Sequence, residues 1–568
     1  MSGPSGAPGT TSVRSRRARR REWRAVDPGL VALAVLPVVA AAALLGFLHI
    51  VGLTGVDTAA HVYKTSLVAH GQSLVWDDYW YGGSYGVVSY GVVYYLVARV
   101  VGAQAIVVLC AGLLPLLFHL YVRRAWQVTS LLPASALAVV SVLYLTNGQD
   151  PFLLAMALTI AGLVLLAGDH PLWAAVPVGV AAFTNPAAVV AGAVFVVADA
   201  LGHPAARRRT ALFAAALVPF AVAWSAVLLA FRGHVSYLAQ PAVLLRWTAV
   251  AAVGVVLARW SRDPDRRARQ VLFAVAAALC LAALVVPNEL GNNASRFLAL
   301  FGLPALLMIR RVRLPRAATA ALLAAVAVVT LAAPVGDLLR TGDAAQTTRS
   351  FFAPALFYAR QTYDPDYRYN VVALRLHWEA DYFPQAGLPI TRGWFRQSDW
   401  QHNALLYRAP TPAQYVAWLR DMGVRDVFVP HAALDFSSSG EPALIARSGA
   451  FVRIAALPGW TVYRLRRSSP LVVAADAPTT PASAAAVGAA VTAVARTKVV
   501  VSVRRPGRYL VKFTWTPYWR LSAPPGVPAG AASLSAAPGD WIALRAPQPG
   551  RYVLRVRPSL HAALARIF

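Results

Sequence analysis

The sequence predicts a polytopic α-helical membrane protein with about eleven spanning helices, followed by two extracytoplasmic domains, one α/β and one β-sandwich-like. Three observations predict it. The 568-residue chain is 58% hydrophobic and only 14% charged, with a mean hydropathy of +0.53, too apolar for an ordinary soluble protein. Its apolar residues come in blocks of roughly 20, the length a bilayer core requires. Arginine clusters punctuate these blocks at alternate gaps, as expected when basic residues stay in the cytoplasm. A net charge of +29 would suggest nucleic acid in a soluble chain. Here the arginines between apolar blocks read as topology signals, so nucleic acid is not an expected partner. Lysine occurs only at Lys64, Lys498 and Lys512, a bias that fits a G+C-rich bacterial genome. Cys110 and Cys280 each sit inside an apolar block, which indicates neither a disulfide framework nor a metal site.

A Gly/Ser/Pro stretch and the basic run from Arg14 to Arg24 make residues 1–28 a disordered cytoplasmic tail. The apolar block at 30–51 is longer than a signal-peptide core and reads as an uncleaved first helix leaving the cytoplasm. The stretch SYGVVSYGVVYYLVARVVG is short and rich in Tyr, so it is placed along the outer membrane surface. The block at 103–122 is then the second helix, which keeps Arg123 and Arg124 inside. Helices at 131–147 and 151–168 follow. The block at 171–201 is too long for one span and is broken by Thr184, Asn185 and Pro186, so it divides into two helices meeting near the outer face. Blocks at 210–231, 240–259, 271–287, 296–309 and 317–336 complete the count. The N terminus is inside and everything after about 336 is outside, at a bacterial cell membrane. The membrane domain is thus 29–336, with an outer loop at 52–102.

Beyond it, 337–470 alternates strand-like runs (YNVVAL, DVFVP, FVRIAAL, WTVYRL) with a helical pattern at 412–422, which predicts a small α/β domain. A Pro/Ala/Thr linker near 477–486 precedes KVVVSV, RYLVKFTW, WIALRA and RYVLRV, separated by Pro-Gly turns. These predict a β-sandwich at 487–568.

The polar and aromatic insert at 51–102 is the expected working site. Asp57 stands just past the first helix, where a carboxylate needs water, a cation or a substrate. Around it in sequence are His61, Lys64, His70, Asp77 and Asp78, and a run of Trp and Tyr that includes Tyr81. A helical segment would put His61 and Lys64 on the face of Asp57. Asp77 and Asp78 either join Asp57 around a divalent cation, Mg²⁺ or Mn²⁺, or anchor the loop in water. The outer loop PNELGNNAS carries Asn288, Glu289, Asn292 and Asn293 beside Arg296. Arg296 either grips a phosphate bidentately or snorkels to the interface. In the outer domain, His377, Trp378, Glu379, Trp394, Arg396, Asp399 and Trp400 mix aromatic faces with hydrogen-bonding groups, suited to carbohydrate or to packing on the membrane mouth.

The acid near the start of the first outer loop, followed by WDDYWYGGSYGVVSYGVVYYLVARVVG before the second helix, resembles the C-type (GT-C) polytopic glycosyltransferases that use polyprenyl-phosphate sugars. The stretches LRLHWEADYFPQAGLPITRGWFRQSDWQHNALLY and YVAWLRDMGVRDVFVP are similar to those of actinobacterial membrane proteins of this superfamily, some named as 6-pyruvoyl-tetrahydropterin synthase related; nothing in the residues points to pterin chemistry. The resemblance covers about 25–465. It implies a GT-C-like fold and an enzyme that transfers a hexose or pentose from a polyprenyl-phosphate donor to an envelope glycan, lipid or protein. Asp57 is then the catalytic base, and His61, Lys64, Asp77, Asp78, Tyr81, Glu289, Asn292 and Arg296 contact substrate. The superfamily's loop acid often belongs to a two-acid motif, whereas Asp57 is followed by Thr58 and Ala59. That departure leaves the metal open and keeps a non-catalytic glycan-binding assembly protein as an alternative. A transporter or flippase for a lipid-linked glycan is the other; it would ordinarily carry charges within several helices or repeated halves.

Overall fold

The computed structural model describes residues 27–85, 90–231, 239–339, 341–476, 487–559 and 562–563. The basic tail up to residue 26 and the 477–486 linker lie outside them. Every stretch read above as a membrane helix is helical: α1 (Pro28–Ile50), then, after α2 (Thr58–Ala69), β1 (Trp76–Asp77), β2 (Ser84–Tyr85) and α3 (Val92–Val101), the run α4 (Ala103–Trp126), α5 (Leu132–Leu143), α6 (Asp150–Ala167), α7 (Pro171–Thr184), α8 (Pro186–Gly202), α9 (Arg207–Ala230), α10 (Pro241–Arg259), α11 (Arg266–Val285), α12 (Arg296–Leu307) and α13 (Arg316–Leu338). Seven of these, α1, α4, α6, α9, α10, α11 and α13, are long and apolar enough to cross a membrane. The chain is a multi-pass membrane protein.

Local chemistry sets the breaks. Asp27 caps α1 by accepting the Gly29 N–H at 2.9 Å, with Pro28 at the first helical position, where its missing donor costs nothing. Asn185 is extended (φ −162°) and caps α8 through Ala187 N, so the long block divides where its Asn-Pro pair predicts. Helices in lipid associate by close packing rather than by water exclusion. Gly162 shows it: a Cβ there would stand 2.8 Å from the Ala174 carbonyl, so α6 and α7 touch backbone to backbone. α1, α9 and α13 bury little against the protein; Leu36, Val222 and Val328 are more than 60% exposed and require lipid.

One end of the bundle gathers the basic residues. Arg209 pairs with Asp199 at 2.7 Å, His203 bridges Asp199 and Asp265, Arg269 pairs with Asp263, and the Ser261 hydroxyl donates to the Arg310 carbonyl at 2.6 Å. The other end carries α2, α3 and the outer domains. There the Gly91 N–H donates to Thr184 O at 2.9 Å, tying α3 to the α7–α8 break.

After α13 come α14 (Arg349–Thr362), β3 (Arg368–Val371), α15 (Glu379–Gln385), α16 (Arg396–Asn403), α17 (Pro412–Asp421), β4 (Val424–Pro430), α18 (Glu441–Ser448), β5 (Phe451–Leu457) and β6 (Trp460–Leu465). Their sheet has the order β3-β4-β6-β5, with β3 and β4 parallel and the other pairs antiparallel. The strands β7 (Val472–Ala474), β8 (Ala489–Ala495), β9 (Lys498–Val503), β10 (Gly507–Thr514), β11 (Trp519–Ser522), β12 (Ser533–Ala537), β13 (Trp541–Ala546) and β14 (Gly550–Val556) form two antiparallel sheets, β12-β13-β10-β7 and β11-β14-β9-β8. β7 precedes the linker yet pairs with β10, so the sandwich starts before the boundary at 487 that composition suggests.

The first outer loop does not belong to the membrane domain alone. Trp80 bridges Ile390, which in turn bridges Tyr369, extending the α/β sheet beside β3. Ala60, Tyr63, Leu67, Trp80 and Tyr81 sit in the α/β core, and Trp76 sits in the sandwich core. The loop is a wedge holding both outer domains to the bundle.

Candidate functional site

Asp57 caps the backbone of α2, its carbonyl receiving the His61 N–H at 3.2 Å. Its side chain makes no cap bond, which leaves the carboxylate to face the cleft between bundle and outer domain. Gly55 and Gly148 set its position. A Cβ on Gly55 would stand 2.1 Å from Gly148 N, and Gly148 adopts φ +66°, so two loops cross backbone to backbone, as glycine alone permits. The crossing brings Asp57 close enough to Asp150, the first residue of α6, for its charge to act on that carboxyl. Asp150 accepts the Tyr94 hydroxyl at 3.1 Å. Asp57 accepts the Trp394 indole N–H at 2.9 Å, from 337 residues further along the chain.

Arg296 opens α12, its guanidinium 4.8 Å over the Phe152 ring. Its Nη1 is buried without a hydrogen-bond partner among the described residues. Its charge reaches Asp57, His61 and Tyr90. Burial lifts the Asp57 carboxyl above the usual carboxylate range, with Arg296 and then the Trp394 N–H pulling it down without cancelling that rise. Burial, aided by the facing Arg296, holds His61 down at about 3, so its imidazole is neutral. Its Nδ1 lies 2.8 Å from the Tyr95 hydroxyl, and its Nε2 has no partner among the described residues. The rings of Tyr90, Tyr94, Tyr95 and Phe395 surround it.

The outer domain closes the cleft with Trp394, Phe395 and Arg396. Trp394 stacks on His377, and Arg396 lies 4.5 Å over the indole while gripping Asp435 at 2.9 and 2.7 Å. Burial favours a protonated Asp435, but the Arg396 fork and His377 hold it well below the carboxylate range. Arg392 is likewise paired to Asp399, and Trp378 donates to Thr54 at 3.0 Å. Trp394 and Trp378 therefore make contacts with the membrane mouth, while Arg392 and Arg396 are held by acids of their own domain.

Of the residues singled out in sequence, Asp57, His61 and Arg296 come together with Trp394, His377 and Arg396 of the outer domain; those of the first outer loop beyond His61 and of the 288–293 loop are placed elsewhere. Lys64 turns away from Asp57, lying 4.2 Å over the Trp80 ring and 3.6 Å from Asp77; burial lowers its pKa. Asp77 accepts the Tyr63 hydroxyl at 2.7 Å, and Tyr63 accepts a bond from Arg496. Asp78 accepts the Trp76 indole at 2.6 Å and is lifted well above the carboxylate range by burial. The grouping of Asp57, Asp77 and Asp78 around a cation is corrected accordingly: the last two are consumed in seating the wedge, and among the described residues no three His, Cys, Asp or Glu side chains cluster as a metal site. Asp57 and Asp150 are the two carboxylates a divalent cation can use here, each with one oxygen already engaged. Tyr81 stacks on His402 at 4.7 Å. Asn292 accepts the Gln240 N–H at 2.8 Å, Asn288 braces its own turn, and Glu289 is exposed on that loop. A cavity of about 510 Å³ also lies at the far end of α2, between Gln72, Gln385 and Arg496. Sequence reasoning missed Asp150, although an acid opening an apolar helix after Gly148 carries the same signal as Asp57.

No family model matches the chain, and no curated protein matches it. Among solved structures it is similar to the archaeal oligosaccharyltransferase AglB from Archaeoglobus fulgidus, solved with an inhibitory peptide and a dolichol-phosphate. The identity is 11%, the TM-score 0.38 and the coverage 66% of each chain. A likeness that partial leaves function to be argued from the site.

Proposed function

We propose that the chain is a membrane glycosyltransferase that moves a sugar from a polyprenyl-phosphate donor to an envelope glycan, lipid or protein acceptor at the outer face. One observation carries the reading: a guanidinium with an unpartnered buried nitrogen, at a membrane helix end, is close enough to act electrostatically on a carboxylate of raised pKa. The leaving group of such a reaction is a lipid phosphate, and Arg296 supplies a fixed positive charge where that phosphate gains its own. Asp57 accepts the proton of the acceptor hydroxyl as its oxygen attacks the anomeric carbon and the carbon–phosphate oxygen bond breaks. A general base works best with a pKa near the working pH, so the lift at Asp57 favours that role. His61, neutral, offers Nε2 to a sugar hydroxyl or phosphate oxygen. A divalent cation held by Asp57 and Asp150 would add charge neutralisation at the phosphate. In this reading the Asp57 loop and everything after α13 lie outside.

The test is turnover of a polyprenyl-phosphate sugar by purified wild type and Asp57→Asn in parallel. Asn keeps the shape but takes no proton, so transfer falls by ~10²-fold to 10⁴-fold while thermal stability and donor binding persist. Equal turnover removes Asp57 from the mechanism. No turnover by the wild type across donors returns the chain to the binding-protein reading.

A further inference from the structure

The C-terminal sandwich is strongly cationic for reasons topology does not supply. From residue 487 to the end, the sequence has twelve Arg and Lys and a single acid, Asp540. The sheet pairings organise part of that charge. Arg520 on β11 pairs directly with Arg555 on β14, and Arg555 pairs directly with Lys498 on β9. Three cations therefore stand in one row across three neighbouring strands, an arrangement that destabilises a sheet unless something anionic meets it. Alternation fixes which way they point. Val499, Val501, Trp519, Leu554 and Val556 enter the sandwich core, so Lys498, Arg520 and Arg555 are on the opposite, outward face, together with Arg551.

The charged row on that face is uncovered, while Val500 on β9 is buried. The other sheet's outer side, through Val473, Leu510 and Trp541, packs into the α/β domain, and Asp540 lies at the head of β13 in that other sheet. Arg520, Arg551 and Arg555 are exposed and Lys498 is half-exposed. None of the four has a carboxylate partner among the described residues; Arg520 bonds only backbone carbonyls of Pro517 and Trp519.

We propose that this face docks on anionic lipid headgroups of the membrane that the chain itself spans. Proximity favours lipid over a soluble polyanion. The Tyr518 hydroxyl donates to the carbonyl of Ala230, the last residue of α9, at 2.7 Å, and its ring lies 5.4 Å from Phe231. Arg520 follows two residues later. With strands ~4.8 Å apart, the row from Arg520 to Lys498 spans about 10 Å, comparable with the Debye length at physiological salt. Each cation that close to an anionic surface favours association by roughly five-fold, so the row contributes on the order of 100-fold.

The test uses the full-length protein in lipid nanodiscs. Cys110 and Cys280 are buried, so a fluorophore on Ser502→Cys, at the outward face beside Arg551, reports docking through a quencher carried on lipid headgroups. Discs containing phosphatidylglycerol should quench it more than phosphatidylcholine discs, and added salt should reverse the difference. Lys498→Gln, Arg520→Gln and Arg555→Gln combined should abolish the difference at unchanged thermal stability. Equal quenching in both lipids, or a difference that survives in a folded triple variant, overturns the proposal. So does a face that ignores phosphatidylglycerol but is occupied by added polyphosphate, which would make the partner a soluble polyanion.

Discussion

The Trp394 N–H bonds the Asp57 carboxylate and so favours its charged form. The sign of its removal follows. Trp394→Phe keeps the ring against His377 but loses the donor, so the Asp57 pKa rises further. A base must be deprotonated to act, hence the acid limb of kcat/KM should move to higher pH in Trp394→Phe; a stationary limb would separate Asp57 from proton transfer. Arg296→Lys keeps a charge but loses the planar fork. Donor binding should weaken by roughly ten-fold or more, as for the loss of one charge-assisted hydrogen bond of about 1.5–3 kcal/mol. Wild-type donor affinity in Arg296→Ala would leave only snorkelling for this residue. At this scale the sequence was informative wherever a charge sat beside an apolar block: Asp57, Arg296 and, by helical spacing, His61. The same spacing failed for Lys64, because Trp80 and Asp77 offered its ammonium a better seat than the Asp57 cleft.

The membrane helices were legible because length and arginine punctuation are local properties. The seating of the wedge was not, since its partners lie far along the chain: Trp76 completes a sandwich core made of residues beyond 470, and the Asp78 N–H donates to Arg496 O at 2.7 Å. A consequence is that Trp76→Ala, a change in the first outer loop, should destabilise the C-terminal sandwich by ~3–5 kcal/mol. Hydrogen exchange accelerated in β9, β10 and β14, with the bundle unaffected, is the expected record. A second expectation concerns Asp366, which accepts the Val491 N–H at 2.8 Å where the α/β domain meets β8. Burial pushes its carboxyl up to about 7. A folded pKa raised above the unfolded value of ~3.9 means its stabilising contribution is complete in acid and is lost as pH rises toward and through about 7. Protection of β8, corrected for intrinsic exchange, should therefore be lower at pH 8 than at pH 6 in the wild type, and nearly level in Asp366→Asn.

Across the whole molecule, the ends of α8, α9 and α11 that pair Arg209 and Arg269 with Asp199 and Asp263 meet at one end of the bundle, and the helix ends flanking the Asp57 cleft, Arg296 among them, meet at the other. Cysteine probes at His70 and Ser439, both exposed, should label from outside, and one at Arg266 should not; labelling of Arg266 from outside overturns the topology. The basic residues of the sandwich follow the last membrane helix in sequence, so they are not among those that punctuate the apolar blocks. The wedge also sets an order of events during synthesis. Residues 58–85 emerge early, yet the strands that bury Trp76 and the turn that satisfies Tyr63 follow some 400 residues later. At about 5–20 residues per second, that segment waits tens of seconds with its aromatic side chains unburied. The nascent protein must pass through an intermediate in which the cleft has its floor but no roof until residues 394–396 emerge, and truncation before β14 leaves the sandwich seat of Trp76 incomplete.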